Sequence, residues 1–357
     1  MNTLFVGYRF KGYIENSFIP KESKIDILFD QSLILEVEMP PKTTGYDLII
    51  WDSGLPVEKD KGSVLICVGN DNIGESLSRV FRLKANAVIC ITDGLYELVD
   101  ALGNLWCRTS DGVELLNNIL RLYKWTKSSI RKETMKSDAY IPYSVDNIPD
   151  LNNFCELIRS VSDKVENERG GRYFGNASTR CAKMFPSIRS REDDRKTSKL
   201  FQYILVSKRN IAKDRIQPED FVVTQYGGRD DSESSSAGKI LYYGYDKPSV
   251  DTPSQIWLYN YFPKINYMIH GHAYISSEFL GVNLIHITDK YCSCGDLREV
   301  EQIKKYIQHE DCDFFIINLT NHGFIIATDT LENMKNIIED KNTNFIYRNI
   351  GKEIPKI

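Results

Sequence analysis

Short apolar runs alternate, along the first 145 residues, with segments whose apolar positions recur every three or four residues. "KIDILFD", "LILEVEM", "YDLIIWD", "SVLICVG" and "NAVICITDG" read as strands, while residues 72–84 and 112–133 read as amphipathic helices. A strand, a helix and a strand in succession predict a right-handed crossover and a parallel sheet. The pattern therefore predicts a Rossmann-like α/β domain over residues 1–145. Pro142, Pro149, Ser and Asp then break both periods, and "DLNNFCELIRSVSDKVENE" opens a helix and a second domain, 146–357. "RDDSESSSAG" (229–238), between two strand-like runs, reads as a solvated hairpin loop. Further on, "DFFIINLTNHGFIIATDTLENMKNII" predicts a strand, a turn at Asn321-His322-Gly323, a second strand and a helix capped near Asp329 or Thr330.

Within that pattern the histidines are unevenly spent. The chain has only five, yet "NYMIHGHAYI" (266–275) places two of them one residue apart in an apolar run. Residues i and i+2 of a strand face the same way, so His270 and His272 can present two imidazoles to one site. The plainer alternative is a pair of core histidines satisfied by neighbours. His322, where a loop leaves a strand, offers a third nitrogen, and three histidines leave a fourth position open on a divalent metal of the zinc type.

The other candidate features weigh less. "GNDNIGES" (69–76) joins a strand to a helix N-terminus, where backbone N–H groups can receive a phosphate. It lacks the Lys of a phosphate-binding loop and the Gly pattern of a dinucleotide site, and Glu75 would repel an anion, so it reads as an ordinary turn. Eight cysteines are scattered, several inside apolar runs, with no disulfide framework. Cys292 and Cys294 in "YCSCGD" read as loop cysteines rather than as a metal or redox pair. His309, near the end of a charged helix, and His286, at a strand end, read as structural. The dense aromatics of "LYYGYD" and "WLYNYFP" read as core or subunit packing.

Composition narrows the class. At 357 residues, 42% hydrophobic and 26% charged, the chain is an ordinary globular protein of two domains. A net charge of −4 argues against a nucleic-acid partner. No apolar run reaches the ~20 residues that span a bilayer, and "MNTLFVGYRFKGY" has no signal-peptide pattern. The expectation is a cytoplasmic protein with no membrane partner.

The second domain resembles the class II aldolase/adducin family over roughly residues 151–345, on five blocks in the family's order. These are "FGNASTR" (174–180), "ILVSKRNIAKDRIQPEDFVV" (204–223), "KPSVDTPSQIWLYNYFPKINYMIHGHA" (247–273), "HITDKY" (286–291) and "NHGFIIATDTLENMKNI" (321–337). The resemblance implies an α/β/α domain with a central, mainly antiparallel sheet. It implies metal ligation by His270, His272 and His322, acid/base or ligand service from Asp251, substrate contact from Asn176, and a phosphate cradle using Ser207 and Ser249. Asp289 would be a further acid, and Tyr347 a tail residue reaching a neighbouring subunit. It also implies a four-fold homotetramer and a divalent cofactor. Zinc is favoured by three imidazoles, though manganese, cobalt and iron also suit them.

Two departures bear on substrate. Lys208 stands where the family's Gly follows Ser, and Val250 where it has a second Ser; Ser254 and Gln255 read as helix surface. The implied activity is a metal-dependent lyase of the class II aldolase type. Its substrate would be a small polyhydroxy carbonyl compound, or its phosphate, reacting through a metal-stabilised enediolate. The alternatives are an epimerase or dehydratase on the same scaffold, which Asp251 favours locally, and a non-catalytic adducin-like module. A further alternative lets the first domain lead by binding a nucleotide or a partner.

Overall fold

The computed structural model describes residues 2–6, 24–28, 43–52, 56–138, 149–165, 168–181, 203–227, 239–276 and 285–357. The chain divides into two compact units, the first made of residues 1–128, 169–172 and 349–355, the second of the remainder. The strand expected over 33–39 and the loop expected over 229–238 lie outside the described residues. No helix among the described residues is long and apolar enough to cross a membrane.

The first unit is built on β1 (Asn2–Val6), β2 (Lys24–Leu28), β3 (Leu48–Trp51), β4 (Val64–Val68), β5 (Ala87–Thr92), β6 (Leu95–Asp100) and β7 (Leu105–Thr109), in the order β2-β1-β3-β4-β5-β6-β7. Pairings from β2 to β5 are parallel. β3 and β4 are buried at every residue, as strands covered on both faces must be. Helix α1 (Ile73–Leu83) makes the crossover from β4 to β5, burying Leu77, Val80 and Leu83. α2 (Gly112–Lys127) follows β7, capped by the Asp111 side chain. Two features depart from a Rossmann-like pattern. β5, β6 and β7 pair antiparallel, and the helix expected to reach residue 133 stops at Lys127. The antiparallel turn is local: Asp93 and Gly94 take positive φ between β5 and β6.

β8 (Glu133–Lys136) starts the second unit's sheet, and β9 (Glu168–Arg169) pairs with β10 (Arg172–Tyr173) as a small hairpin. The second unit adds β11 (Asn176–Arg180), β12 (Ile204–Ser207), β13 (Phe221–Tyr226), β14 (Lys239–Tyr242), β15 (Tyr267–Gly271), β16 (Ala273–Ile275), β17 (His286–Ile287), β18 (Phe314–Leu319), β19 (Gly323–Thr328) and β20 (Phe345–Tyr347). Nine strands run β17-β18-β19-β15-β11-β12-β13-β14-β8, antiparallel throughout except at the two edge pairs.

Side-chain alternation on these strands builds two cores. Leu205, Tyr267, Ile269, Phe324 and Ile326 pack with α3 (Pro149–Ser162) and α6 (Leu331–Glu339). Ile204, Val206, Met268, Ile325 and Ala327 pack with α4 (Thr252–Tyr261) and α5 (Leu297–Tyr306). The result is an α/β/α sandwich around a mainly antiparallel sheet. His270 has the parity of Met268, so it points into the α4/α5 layer.

Candidate metal centre

β15 delivers His270 and then ends at Gly271, and β16 begins at Ala273. His272 therefore sits in the break between two strands instead of sharing one strand face with His270, as the i, i+2 spacing predicts. The rings still meet. Ring centroids lie 5.0 Å apart for His270 and His272, 4.7 Å for His270 and His322, and 5.2 Å for His272 and His322. One ring nitrogen from each lies within 4.8 Å of those of the others, and all three residues are buried. His322 reaches them because β18 and β19 turn tightly at Asn321, which takes φ +56°. The next residue after His322 must be glycine: a Cβ at Gly323 would lie 1.9 Å from the Gly271 carbonyl oxygen.

Hydrogen bonds set the outward nitrogens. His270 donates from Nδ1 to the Phe324 carbonyl at 2.8 Å, so its Nε2 keeps a lone pair. That Nε2 is buried with no hydrogen-bond partner among the described residues. His322 Nδ1 lies 2.9 Å from Glu299 Oε2, on α5, turning its Nε2 inward. A metal-ligating histidine normally anchors its second nitrogen on a carbonyl or carboxylate in this way. An unpartnered buried imidazole nitrogen costs ~1–3 kcal/mol, a cost that bonding to a cation would remove.

Asp251 occupies the N-cap position of α4 without capping it. Its Oδ2 accepts from Asn176 Nδ2 at 2.7 Å, and its Oδ1 is buried and unpartnered among the described residues. Asn176 stands opposite His270 in the β11–β15 register, and Gln255 Nε2 donates to Asn176 Oδ1. Asp251 also belongs to a second group, with Cys294 and His322, whose ligand atoms all lie within 4.8 Å of one another.

Burial governs the charges here. It holds the His270 imidazole below its ordinary value, reinforced by His322, which favours the neutral ring a metal needs. It pushes the Glu299 carboxyl well above the carboxylate range, with Asp251 adding repulsion. It also pushes the Cys294 thiol well up, again helped by Asp251. Lys213 is 5% exposed and lowered by burial to about 8. Together with Asn176, His270, His272 and Phe174, it lines a pocket.

The other expected residues fall as follows. The Ser207 hydroxyl is fully buried and accepts from the Ala177 amide at 3.1 Å. Ser249 Oγ accepts from the Asp251 amide at 3.3 Å. Lys208 ion-pairs with Asp246 at 2.9 Å and lies 3.6 Å from Asp220. The left-handed residue of that turn is Asn210, φ +61°, so Lys208 does not fill a glycine's conformation. Gln255 and Ser254 are buried, not surface residues, because α4 is covered almost all round. Asp289 is bound to Lys305 at 2.6 Å and to Tyr306, within an exposed cluster. His286 stacks on Tyr306, 5.0 Å between ring centroids. Tyr347 is more than half exposed and pairs with Ala273.

Cys294, Glu299 and Lys213 escape a sequence reading. The CxC spacing is the one signal that marks Cys294, and nothing in "LREVEQIKKY" separates Glu299 from the helix's exposed acids.

No family model matches the chain, and no curated protein matches its sequence. Among solved structures it is similar to an L-fuculose 1-phosphate aldolase, at 16% identity and a TM-score of 0.35, covering 55% of this chain and 84% of that one. It is also similar to the L-fuculose-1-phosphate aldolase from Thermus thermophilus, at 11% identity and a TM-score of 0.30, covering 53% and 85%. A third likeness is to the N-terminal class II aldolase domain of a conserved protein from Thermoplasma acidophilum, at 15% identity and a TM-score of 0.31, covering 57% and 96%.

Proposed function

We propose that the second unit is a metal-dependent lyase of the class II aldolase type, cleaving a small polyhydroxy carbonyl compound. One observation carries the reading: three buried imidazoles, from the end of β15, the break after it and the β18–β19 turn, converge, and His270 Nε2 has no hydrogen-bond partner among the described residues. His270, His272 and His322 would hold a divalent cation, zinc by donor chemistry. When bound, that cation supplies Lewis-acid polarisation of a carbonyl flanked by a hydroxyl.

The protein's own groups do the rest. Asn176 fixes Asp251 through Oδ2 and leaves Oδ1 to take or return a proton at the substrate. Gln255 locks Asn176 in turn. Glu299 orients the His322 ring. Lys213, a buried cation on the pocket wall, would meet an anionic or strongly polar substrate end.

Three features favour an unphosphorylated substrate. Lys208 is engaged by two carboxylates, Val250 brings no hydroxyl, and the Ser207 hydroxyl is tied to a backbone amide. Asp251, an aspartate where aldolases of the resembled family carry glutamate, keeps an epimerase or dehydratase as the second reading. The proposal includes a homotetramer and a cytoplasmic location.

The experiment is a metal assay followed by a substrate panel. About one divalent ion per chain is expected, and cleavage of a ketose or aldose, assayed with and without its phosphate. No bound metal ends the reading; inversion or water loss without cleavage moves it to the second.

A further inference from the structure

Lys208 and Lys213 sit in one segment after β12, and the fold treats them differently. Lys208 has two carboxylates, Asp246 at 2.9 Å and Asp220 at 3.6 Å. Lys213 is buried, and its ammonium makes one hydrogen bond, to the Ile211 carbonyl at 2.7 Å, and no ion pair among the described residues. The two carboxylates whose fields reach it are engaged elsewhere. Asp220 accepts from the Gln217 amide at 3.0 Å and faces Lys208, while Asp251 Oδ2 holds Asn176. An ammonium carries three donors, and among the described residues only one of them is used. The rest of its charge lies on the wall of a pocket shared with Asn176, His270 and His272.

We propose that Lys213 selects the substrate by a carboxylate: the site takes a sugar acid, a polyhydroxy carbonyl compound whose far end is a carboxylate, ahead of the neutral sugar and of its phosphate. This rests on the metal reading above, which puts the carbonyl end at the histidines.

Charge decides among the three forms. A buried charge is costly until it is paired and hydrogen-bonded, and a neutral sugar leaves the ammonium unneutralised. A carboxylate balances it one for one, and its two oxygens can accept from the donors left over. A phosphate ester carries close to two negative charges at neutral pH, more than one ammonium balances. Among the described residues no arginine and no second lysine lines that pocket. Ile158, Val161 and Ile269 make the wall around the ammonium apolar, so a counter-charge there counts for more than it would in water. Burial lowers the Lys213 ammonium only to about 8, which leaves most of it charged at pH 7.

The probes are matched ketoses that differ only at the terminal carbon: D-fructose, D-fructose 6-phosphate and D-fructuronate, with the corresponding tagatose set. Binding to the zinc-loaded full chain is read by calorimetry, and cleavage by product analysis. In at least one set the acid should bind the wild type about 10–100-fold more tightly than the neutral and phosphorylated forms. Lys213→Met should bring the acid's affinity down to that of the neutral ketose. If the acid binds no more tightly than its partners in either set, or if its advantage survives in Lys213→Met, the carboxylate role is overturned while bound zinc leaves the metal reading standing. A zinc-loaded wild type that binds none of the forms overturns the substrate class as well. A wild type that takes up no zinc overturns the metal reading and this one with it.

Discussion

The β4–α1 turn of the first unit and the histidine cluster of the second are both polar pockets at strand ends, but they differ in what is left over. In the turn the Asn70, Asn72, Gly74 and Glu75 amides are all bonded to side chains of the turn itself. Asn72 Oδ1 accepts from the Gly74 and Glu75 amides, and Ser76 Oγ from the Asn70 amide. Asn70 in turn donates to Glu75. Any phosphate would have to displace these bonds and approach a carboxylate. In the cluster, the second nitrogens of His270 and His322 are anchored outward, while His270 Nε2 and Asp251 Oδ1 are buried with no hydrogen-bond partner among the described residues. The lesson is one of accounting: a buried polar network with everything satisfied is a joint, and one with deficits converging on a point is a site.

The largest effects should come from emptying that point. His270→Ala and His322→Ala are each expected to reduce bound metal from about one ion per chain to near zero by elemental analysis, and to abolish turnover. Full metal content in both variants would reduce the cluster to core histidines. Asp251→Asn keeps the shape and the Asn176 contact while removing the base. It should lower kcat by roughly 10²–10⁴-fold with metal content retained. Glu299→Gln acts one bond further out. Losing the carboxyl anchor of His322 should weaken metal affinity about 10–100-fold in a competitive chelator titration, with a smaller effect on kcat at saturating metal.

Local pattern reaches the three histidines, because HxH and a turn histidine are short-range features; Asp251 and Asn176 enter only through the family resemblance of the blocks that contain them. It also reaches the α/β character of both units through period. It misses what depends on distant segments. Glu299 meets a histidine 23 residues away and Asn176 an aspartate 75 away, and no periodicity encodes either meeting. Gln255 reads as helix surface because an apolar stripe normally marks the buried face, but α4 is buried on nearly every side. β6 and β7 escape the pattern because "LYELVD" and "LWCRT" are short and mix charge with apolar residues; only the pairing of β6 against β5 and of β7 against β6 makes them strands.

Lys213 tests the electrostatic side of the comparison. Its ammonium is held against burial, with its pKa lowered to about 8 from 10.5. The unfolded chain therefore binds the proton more tightly, and the penalty is fully present below pH 8. Stability from this group rises as pH climbs from about 8 to 10.5, then levels off. Lys213→Met should stabilise the fold at pH 7 by roughly 2–4 kcal/mol, read from denaturant midpoints, with the gap closing toward pH 10.5. A constant gap across that range would mean that the lysine is charged and well solvated, and not a buried cation on the pocket wall.

The smallest effect belongs to the closed turn. Asn72→Ala removes the acceptor for two amides at the start of α1 and should cost about 1 kcal/mol; Asn72→Gly, which frees the backbone for water, should cost only a few tenths. Neither change, nor the wild type, should show a thermal shift on adding inorganic phosphate or a dinucleotide, because the Asn70, Asn72, Gly74 and Glu75 amides are already bonded within the chain. A clear stabilisation of the wild type by a nucleotide, lost in Asn72→Ala, would show that those internal bonds open for a ligand. The first unit would then hold a site of its own, and complete satisfaction of a polar turn would no longer separate a joint from a site.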